Sequence, residues 1–428
     1  MKNSLLKKSL VLEIALLVLV IGIAPLFHAG MIRNSQKSLA SVKNMALTVG
    51  NDETDVPTWN VGNSWTFDID LSARAEKPDL QITSDVGCNN LPFTVVDDID
   101  DAYRVEFNGN IYGSFFLKVE NFPALSGSLK DTTVDGHLLI KKTNLGIKEY
   151  YVKMEGKLMW GIIPNSLDAE LSATFDPPFS ILDFPISVGK TWTIMRSNVT
   201  YDGIISLPGI TKLIPWLPEE LVIDRTDIAG GDSVECISKE EVNVAPGPFS
   251  AYVIVSERWE GTFTYYYAPV AGNIIKITSS EYKFDIFDLE LNYELKSLTY
   301  TMPGAPEIPS RPNGPTQGTP DVEYTYSSLT IDHEGDQVYY WFDWGDGTDS
   351  DWLGPYDSGQ QVSAPHTWSE RGSYAIKVKA KDVEDHETLW SSPLSVSLPK
   401  NKNSKAINNP LFLQFLERFP MLKDLLGL

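Results

Sequence analysis

Alternation of apolar and polar residues with a period of two constrains this chain more than any other feature. It recurs in short segments between Val56 and Tyr300, such as 102–107 and 262–267, and Gly, Pro, Asn or Asp bounds nearly every segment. Side chains of a β-strand point alternately to opposite faces, so this period is typical of half-buried strands. Helical periodicity is scarce in the same region. We therefore predict one large antiparallel β domain at 56–301, folded as one curved sheet or as two similar halves.

A short phrase occurs twice in this region and favours the two similar halves. Residues 61–67 read Val-Gly-Asn-Ser-Trp-Thr-Phe, and residues 188–194 read Val-Gly-Lys-Thr-Trp-Thr-Ile. In both copies a glycine turn leads into a strand that begins with a large aromatic residue. The phrase and the segment 265–276 resemble parts of secreted and lipoprotein-like β-sheet domains of bacteria and archaea. This resemblance implies a sheet wrapped around an apolar groove or a helix.

The amino terminus has the composition of an export segment. Lysines precede a mostly apolar run at 10–27, and the small residues Ala29 and Gly30 follow it. This order is typical of a secretory signal, and a run of about 18 residues is also long enough for an uncleaved membrane anchor. We expect a signal peptide or anchor at 1–30, a polar spacer at 31–55 and an extracellular or cell-surface location for the rest.

The charge of the chain excludes one class of partner. It has 57 acidic and 35 basic residues, which give a formal net charge of -22 at pH 7. A field of this sign repels polyanions, so we expect no nucleic-acid partner.

The two cysteines, Cys88 and Cys236, are disulfide candidates if the chain is exported. A single disulfide between them would close a long loop and stabilise the fold. Two buried thiols far apart in space are the alternative, because the sequence does not give their separation.

The large β region shows no pattern typical of a catalytic centre. Its one histidine, His137, lies at the start of a strand-like run, where we expect a surface role. Motifs of serine hydrolases and of helical zinc sites are missing from the sequence. The acidic turn at 97–101 is expected to be a solvated loop, and divalent-cation binding there is the alternative. We expect no enzymatic activity. A carbohydrate-active enzyme or protease, with convergent carboxylates or a metal in a cleft of 56–300, is the alternative.

Proline and glycine dominate residues 302–320, and this composition predicts a stiff connector between domains. After it come six or seven strand-like segments in about 80 residues, the pattern of an immunoglobulin-like sandwich. Residues 339–348 read Tyr-Tyr-Trp-Phe-Asp-Trp-Gly-Asp-Gly-Thr, an aromatic strand that ends in an acidic glycine turn. We predict that this strand is buried between the two sheets of a β-sandwich at 321–399.

Two signatures in this region resemble those of polycystic-kidney-disease-type (PKD) domains. One is Trp-Phe-Asp-Trp-Gly-Asp-Gly at 341–347. The other is His-Thr-Trp at 366–368 followed by Gly-Ser-Tyr at 372–374, with tryptophan where the family usually has Tyr or Phe. The resemblance implies an extracellular spacer, adhesion or polysaccharide- or protein-contacting module without catalysis of its own. It also implies structural roles for Trp344, Gly345, Asp346, Gly347, His366, Trp368 and Tyr374. His366 is expected to hydrogen-bond near the turn.

Calcium is the one cofactor that this resemblance leaves open. Some relatives bind calcium through acidic turns, and the candidate ligands in this chain are Asp332, Asp336 and Asp385. Carboxylate oxygens are the ligands that calcium prefers.

The tail at 400–428 combines a basic linker with an amphipathic segment. Apolar residues recur at helical spacing: Leu411, Phe412, Phe415, Leu416 and Phe419. Gln414, Glu417 and Arg418 fall on the opposite side of such a helix. We expect this segment to dock on a partner or a membrane surface, or to fold back on the sandwich.

Taken together, these patterns predict an exported, non-catalytic protein with a binding or structural role at the cell surface, such as adhesion, spacing or presentation. Its expected partners are a surface protein or polysaccharide, and the membrane through the amino-terminal segment and the tail. A carrier of a lipid or another apolar ligand is the alternative, and it requires an apolar cavity of several hundred Å³ in the large β domain.

Overall fold

The computed structural model describes residues 53–77, 80–119, 123–212, 218–258, 261–280, 282–284, 287–399, 414 and 417–418. The expected signal or anchor at 1–30, nearly all of the spacer and most of the tail lie outside these residues. Within the described part of the chain, no helix has the length and apolar character needed to cross a bilayer. The chain divides after Pro303 into two compact units.

The described part of the first unit consists almost entirely of strands. Their bounds are β1 Glu53–Thr54, β2 Ser64–Lys77, β3 Leu80–Ile99, β4 Ala102–Val119, β5 Leu125–Lys141, β6 Ile147–Trp160, β7 Ile163–Phe179, β8 Ile186–Ser187, β9 Thr191–Thr193, β10 Ser197–Ser206, β11 Glu220–Ala229, β12 Ser233–Val244, β13 Gly247–Arg258, β14 Gly261–Ala268, β15 Asn273–Ser280, β16 Tyr282–Phe284 and β17 Phe287–Leu298. Two 3₁₀ turns connect them, at Ile210–Lys212 and Pro269–Ala271.

Fifteen of these strands form one antiparallel sheet in the order β11-β10-β7-β6-β5-β4-β3-β2-β17-β15-β14-β13-β12-β9, with β16 paired to β17. This confirms the prediction of a large antiparallel β domain. The order contains two meanders of six strands, β2 to β7 and β9-β12-β13-β14-β15-β17, which join where β17 pairs with β2. The hairpin β10–β11 leaves the second meander and extends the first beside β7.

The duplicated phrase makes the same backbone contacts in both meanders. In the first copy the N–H of Gly62 donates to the carbonyl of Val95 (2.8 Å), and the N–H of Val95 donates to the carbonyl of Asn63 (2.9 Å). In the second copy the N–H of Gly189 donates to the carbonyl of Cys236 (2.7 Å), and the N–H of Cys236 donates to the carbonyl of Lys190 (2.9 Å). The phrase is therefore the same strand-entry device used twice.

The first copy also meets the segment 265–276, which lies more than 200 residues further along the chain. Trp65 Nε1 donates to the carbonyl of Ala271 (2.6 Å), and Trp59 Nε1 donates to that of Gly272 (2.9 Å). Both acceptors lie at the 3₁₀ turn that follows β14. The two stretches that suggested a known class of β domain are thus in direct contact, where β2 begins and β14 ends.

The second unit contains six strands in its described residues. They are β18 Glu323–Ser328, β19 Val338–Asp343, β20 Leu353–Tyr356, β21 Val362–Thr367, β22 Ser373–Asp382 and β23 Leu394–Ser397. Strands β18 and β21 form one sheet, and β20-β19-β22-β23 form another. Buried residues from both sheets, including Tyr326, Tyr340 and Val378, make a common core. The predicted immunoglobulin-like sandwich is confirmed.

Residues 304–320, which we expected to form a connector, belong to the second unit. Asn313 makes an antiparallel bridge to Ser327 of β18, and Gln317 makes a parallel bridge to Ser397 of β23. The segment thus reaches from one sheet to the edge of the other. Its prolines are tolerated because pairing at isolated positions on an edge does not need a donor at every residue.

Candidate binding site on the carboxy-terminal sandwich

The acidic glycine turn after β19 is held by hydrogen bonds to its own carboxylates. The N–H of Gly345 donates to Asp343 Oδ1 (2.9 Å). The N–H and the hydroxyl of Thr348 both donate to Asp346 Oδ1, at 3.0 and 2.6 Å. These contacts fix the turn that carries the first signature.

His366 lies beneath this turn. Its Nε2 is 2.9 Å from Asp346 Oδ2, its ring stacks on Trp344 with centroids 4.6 Å apart, and Trp368 meets it edge-on at 4.7 Å. Tyr374 in turn stacks on Trp368 at 5.3 Å. The structure therefore brings the two signatures together in one cluster, in which His366 fastens the turn to the core.

Asp346 makes the stability of the sandwich depend on pH. Burial acts to raise the pKa of this carboxyl, but hydrogen bonds from Thr348 and His366 outweigh burial and hold the pKa below its usual value. A folded pKa below the unfolded one stabilises the fold above the unfolded pKa, and this stabilisation is lost as the pH falls through the folded pKa. We expect the difference in unfolding free energy between wild type and Asp346→Asn to shrink as the pH falls below about 4. Urea titrations of the second unit at several pH values would measure it, and a constant difference would contradict the assignment.

The three calcium candidates are not brought together. Asp332 Oδ1 accepts the N–H of Asp336 (3.0 Å) in a tight turn, whereas exposed Asp385 pairs with Lys381. Within the described residues, no group of three or more His, Cys, Asp or Glu side chains is placed to hold a metal ion. The sequence showed only that the three carboxylates lie in acidic turns. In the structure, Asp332 and Asp385 each bind a partner that lies four residues away in the chain.

Of the two alternatives for the cysteines, the structure has the separate buried thiols, because Cys88 and Cys236 are free and buried. Cys88 lies in β3 and Cys236 in β12, and five strands separate these two in the sheet. A disulfide needs Cα atoms within about 7 Å, whereas neighbouring strands alone are about 4.8 Å apart.

Both thiols are expected to be inert in the native protein. Burial, with Asp68 nearby, raises the pKa of Cys88 to about 11, and burial, with Glu235 nearby, raises that of Cys236 to about 12. Because the thiolate is the reactive form, we expect at least about 100-fold slower labelling by a thiol reagent than in the unfolded chain. A reductant should leave the unfolding midpoint unchanged. Fast labelling of either thiol in the folded protein would contradict this.

The sheet β20-β19-β22-β23 carries an aromatic and basic surface on its outer side. It consists of Tyr339, Trp341, Trp352, Trp390, Lys377, Lys379 and Lys381, and we call it the Trp–Lys face. The alternation of β19 explains it: Tyr340 and Phe342 are fully buried in the core, whereas Tyr339 and Trp341 point outward and are only partly buried. The expectation that the whole aromatic strand is buried between two sheets is therefore wrong for half of its residues.

Lys379 lies at the centre of the Trp–Lys face. Its Nζ is 5.5 Å from the ring centroid of Trp341, 5.4 Å from that of Trp352 and 5.0 Å from that of Trp390. The rings of Trp341 and Trp352 meet edge to face at 5.3 Å. Contacts of an ammonium with aromatic rings are attractive, and they favour this arrangement of the side chains.

The Trp–Lys face is close to neutral, because each lysine has a carboxylate partner. Lys377 lies 3.3 Å from Asp343, Lys379 pairs with Glu387, and Lys381 pairs with Asp385. Sequence reasoning missed this face. The available signal was the spacing of the three lysines, which alternate along β22 with the buried Ile376, Val378 and Ala380.

Polar residues of the first unit that the sequence singled out have local partners. His137 lies 3.7 Å from Glu149 and stacks on Tyr151. In the acidic turn at 97–101, Lys142 pairs with Asp98 and Lys148 with Asp101.

An apolar cavity lies between the sheet of the first unit and the segment that follows β7. Phe67, Phe93, Tyr293, Ile181 and Leu182 are among its walls, and its volume is about 60 Å³. This volume is well below the several hundred Å³ of a typical ligand pocket.

The fold and the site define an all-β protein with a large antiparallel sheet, an immunoglobulin-like sandwich and an aromatic face on that sandwich. No family description matches the sequence, and no curated protein matches it. Among solved structures, the chain is similar to the PKD domain of an M14-like peptidase from Thermoplasmatales archaeon SCGC AB-540-F20. The identity is 42%, the similarity covers 22% of this chain and 97% of that domain, and the TM-score is 0.22.

Proposed function

We propose that this chain is an exported, non-catalytic cell-surface protein that contacts a surface polysaccharide or protein through the Trp–Lys face. The observation that carries the proposal is the partial exposure of Trp341, Trp352 and Trp390 around Lys379. Aromatic side chains held in fixed positions give a large contact area at a small entropic cost, and they dominate the energetics of many interfaces. Such side chains on the outer side of a sheet have no role in the core.

A non-catalytic role is supported by the partners of the polar groups. His366 and Asp346 bind each other at the turn, and His137, Asp98 and Asp101 have ion-pair partners close by. The cavity that is lined by Phe67 and Tyr293, with a volume of about 60 Å³, is too small for a lipid chain.

Location is tested by labelling intact cells of the source organism with a membrane-impermeant amine reagent. We expect modified lysines in the sandwich without lysis of the cells. Modification only after lysis would overturn the proposed surface location.

Binding is tested by co-sedimentation of the purified full chain with isolated cell envelopes. We expect the double variant Trp352→Ala/Trp390→Ala to lose at least about tenfold in affinity, because these rings lie at the two sides of Lys379. Tyr112→Ala is the matched control, since it removes an aromatic ring that is 43% exposed on the first unit. Equal sedimentation of the wild type and the double variant would reject the Trp–Lys face as the contact surface.

A further inference from the structure

We propose that the Trp–Lys face is the docking surface of the same chain's carboxy-terminal segment, residues 411–428, which covers it until another ligand displaces it. The docking itself does not depend on the proposed function. Its consequence does, because a face that binds an envelope component would then be regulated by the tail.

The last strand places the start of the tail on the sheet that carries this face, near the first residue of β22. Strand β23 pairs with the first four residues of β22, and the N–H of Leu398 donates to the carbonyl of Gly372 (2.8 Å). Lys379 lies about 23 Å further along β22, because a strand rises about 3.3 Å per residue. From the end of the sandwich to residue 411 there are eleven residues, 400–410. An extended chain of that length spans about 35 Å, which exceeds both the distance of about 23 Å along β22 to Lys379 and the width of about 15 Å of four strands. The segment can therefore reach every part of the face in its own chain.

The chemistry of the tail fits an aromatic surface. Its apolar residues at helical spacing are Leu411, Phe412, Phe415, Leu416 and Phe419. Gln414, Glu417 and Arg418, which fall on the opposite side, are helical and exposed. An amphipathic helix binds by laying its apolar side on an apolar surface, and the partly exposed aromatic rings of the Trp–Lys face offer such a surface.

Charge favours this face over a lipid surface. The segment 411–428 has two basic residues, Arg418 and Lys423, and two acidic ones, Glu417 and Asp424, so its side chains have no net charge. The three lysines of the Trp–Lys face are likewise balanced by three carboxylates. Helices that bind anionic membranes are rich in lysine and arginine on their polar side. The polar side of this segment pairs Arg418 with the neighbouring Glu417, and the other lysines of the tail, Lys400, Lys402 and Lys405, lie in the linker before it.

The test uses the full chain with its own tail disabled by Phe415→Asp/Leu416→Asp, and a synthetic peptide of residues 406–428 as the probe. By isothermal titration, we expect this variant to bind the peptide. The wild-type chain, whose face is covered, should bind it at least about tenfold more weakly. Adding Trp352→Ala/Trp390→Ala to the tail variant should also weaken binding at least about tenfold, whereas adding Tyr112→Ala should not.

Three results would overturn the proposal: no binding of the peptide to the tail variant, equal binding after loss of the two tryptophans, or binding of the peptide only to anionic vesicles. A wild-type dimer that dissociates in the tail variant would overturn docking within one chain. The envelope assay is independent of these results. If the peptide binds the face but envelopes do not, the proposed function fails and the docking stands. If envelopes bind the face but the peptide does not, the docking fails and the proposed function stands.

Discussion

Replacing Trp65 by alanine is expected to lower the free energy of unfolding of the first unit by about 4 kcal/mol, the usual cost of removing a buried tryptophan. Trp65 is 1% exposed, its ring lies 4.7 Å from that of Trp59 and 5.6 Å from that of Tyr300, and its Nε1 donates to Ala271. The substitution removes this packing and leaves the buried carbonyl of Ala271 without its donor.

The duplicated phrase supplies a matched control, Trp192→Ala. Trp192 occupies the equivalent position and donates to the carbonyl of Ile181 (2.9 Å), but it is only partly buried. We expect a loss of about 1–2 kcal/mol, because less area is removed from the core. Urea unfolding of both variants measures the effects, and the transition of the second unit serves as an internal reference. Equal losses of unfolding free energy for the two tryptophans would show that the deeper burial of Trp65 does not add to the stability of the first unit.

In the sandwich, Gly345→Ala is expected to lower the free energy of unfolding of the second unit by about 3 kcal/mol or more. Gly345 has a φ of +75°, a conformation that costs a residue with a side chain about 1 kcal/mol or more. A Cβ at this position would also lie 2.7 Å from the backbone nitrogen of Ala375, on the neighbouring strand β22. The backbone of Ala375 cannot move away as the end of a flexible side chain can. The steric overlap therefore adds to the cost of the positive φ.

Gly347→Ala separates these two causes. Gly347 has a similar φ of +87°, but a Cβ there would meet no atom within 4 Å. We expect a loss of only about 1 kcal/mol from the backbone conformation alone. Thermal or urea unfolding of both variants decides the matter. If both cost the same, the close approach of Gly345 to Ala375 has no energetic weight.

Much of the fold was predictable because strand and turn signals are local. The period of two gave the strands, and the Gly-Asp-Gly turn gave the end of β19. The lengths were not predictable in the same way. The segments at 102–107 and 113–119 looked like separate strands, yet they form the single strand β4 of 18 residues. A bulge between Ile111 and Ser114, where the register with β5 shifts, interrupts the pattern without ending the strand.

The candidate site was less predictable for a different reason. The sequence of β19 has aromatic residues at every position from Tyr339 to Phe342, so it does not show which alternate set faces the core. That choice depends on β22, whose Val378 pairs with Phe342 and whose Lys379 pairs with Trp341. The Trp–Lys face thus exists only because two strands separated by about 30 residues meet in this register.

By itself, the sequence determined that this protein is built from antiparallel strands, that a sandwich with a tight acidic turn follows a larger β domain, and that a strand-entry phrase is repeated. These properties depend on side-chain period, glycine and proline, which act within a few residues. Only the tertiary structure decided that β17 pairs with β2, that five strands separate Cys88 from Cys236, and that three tryptophans surround Lys379. Such contacts join residues that are distant in the chain, and their energies depend on register and packing rather than on local pattern.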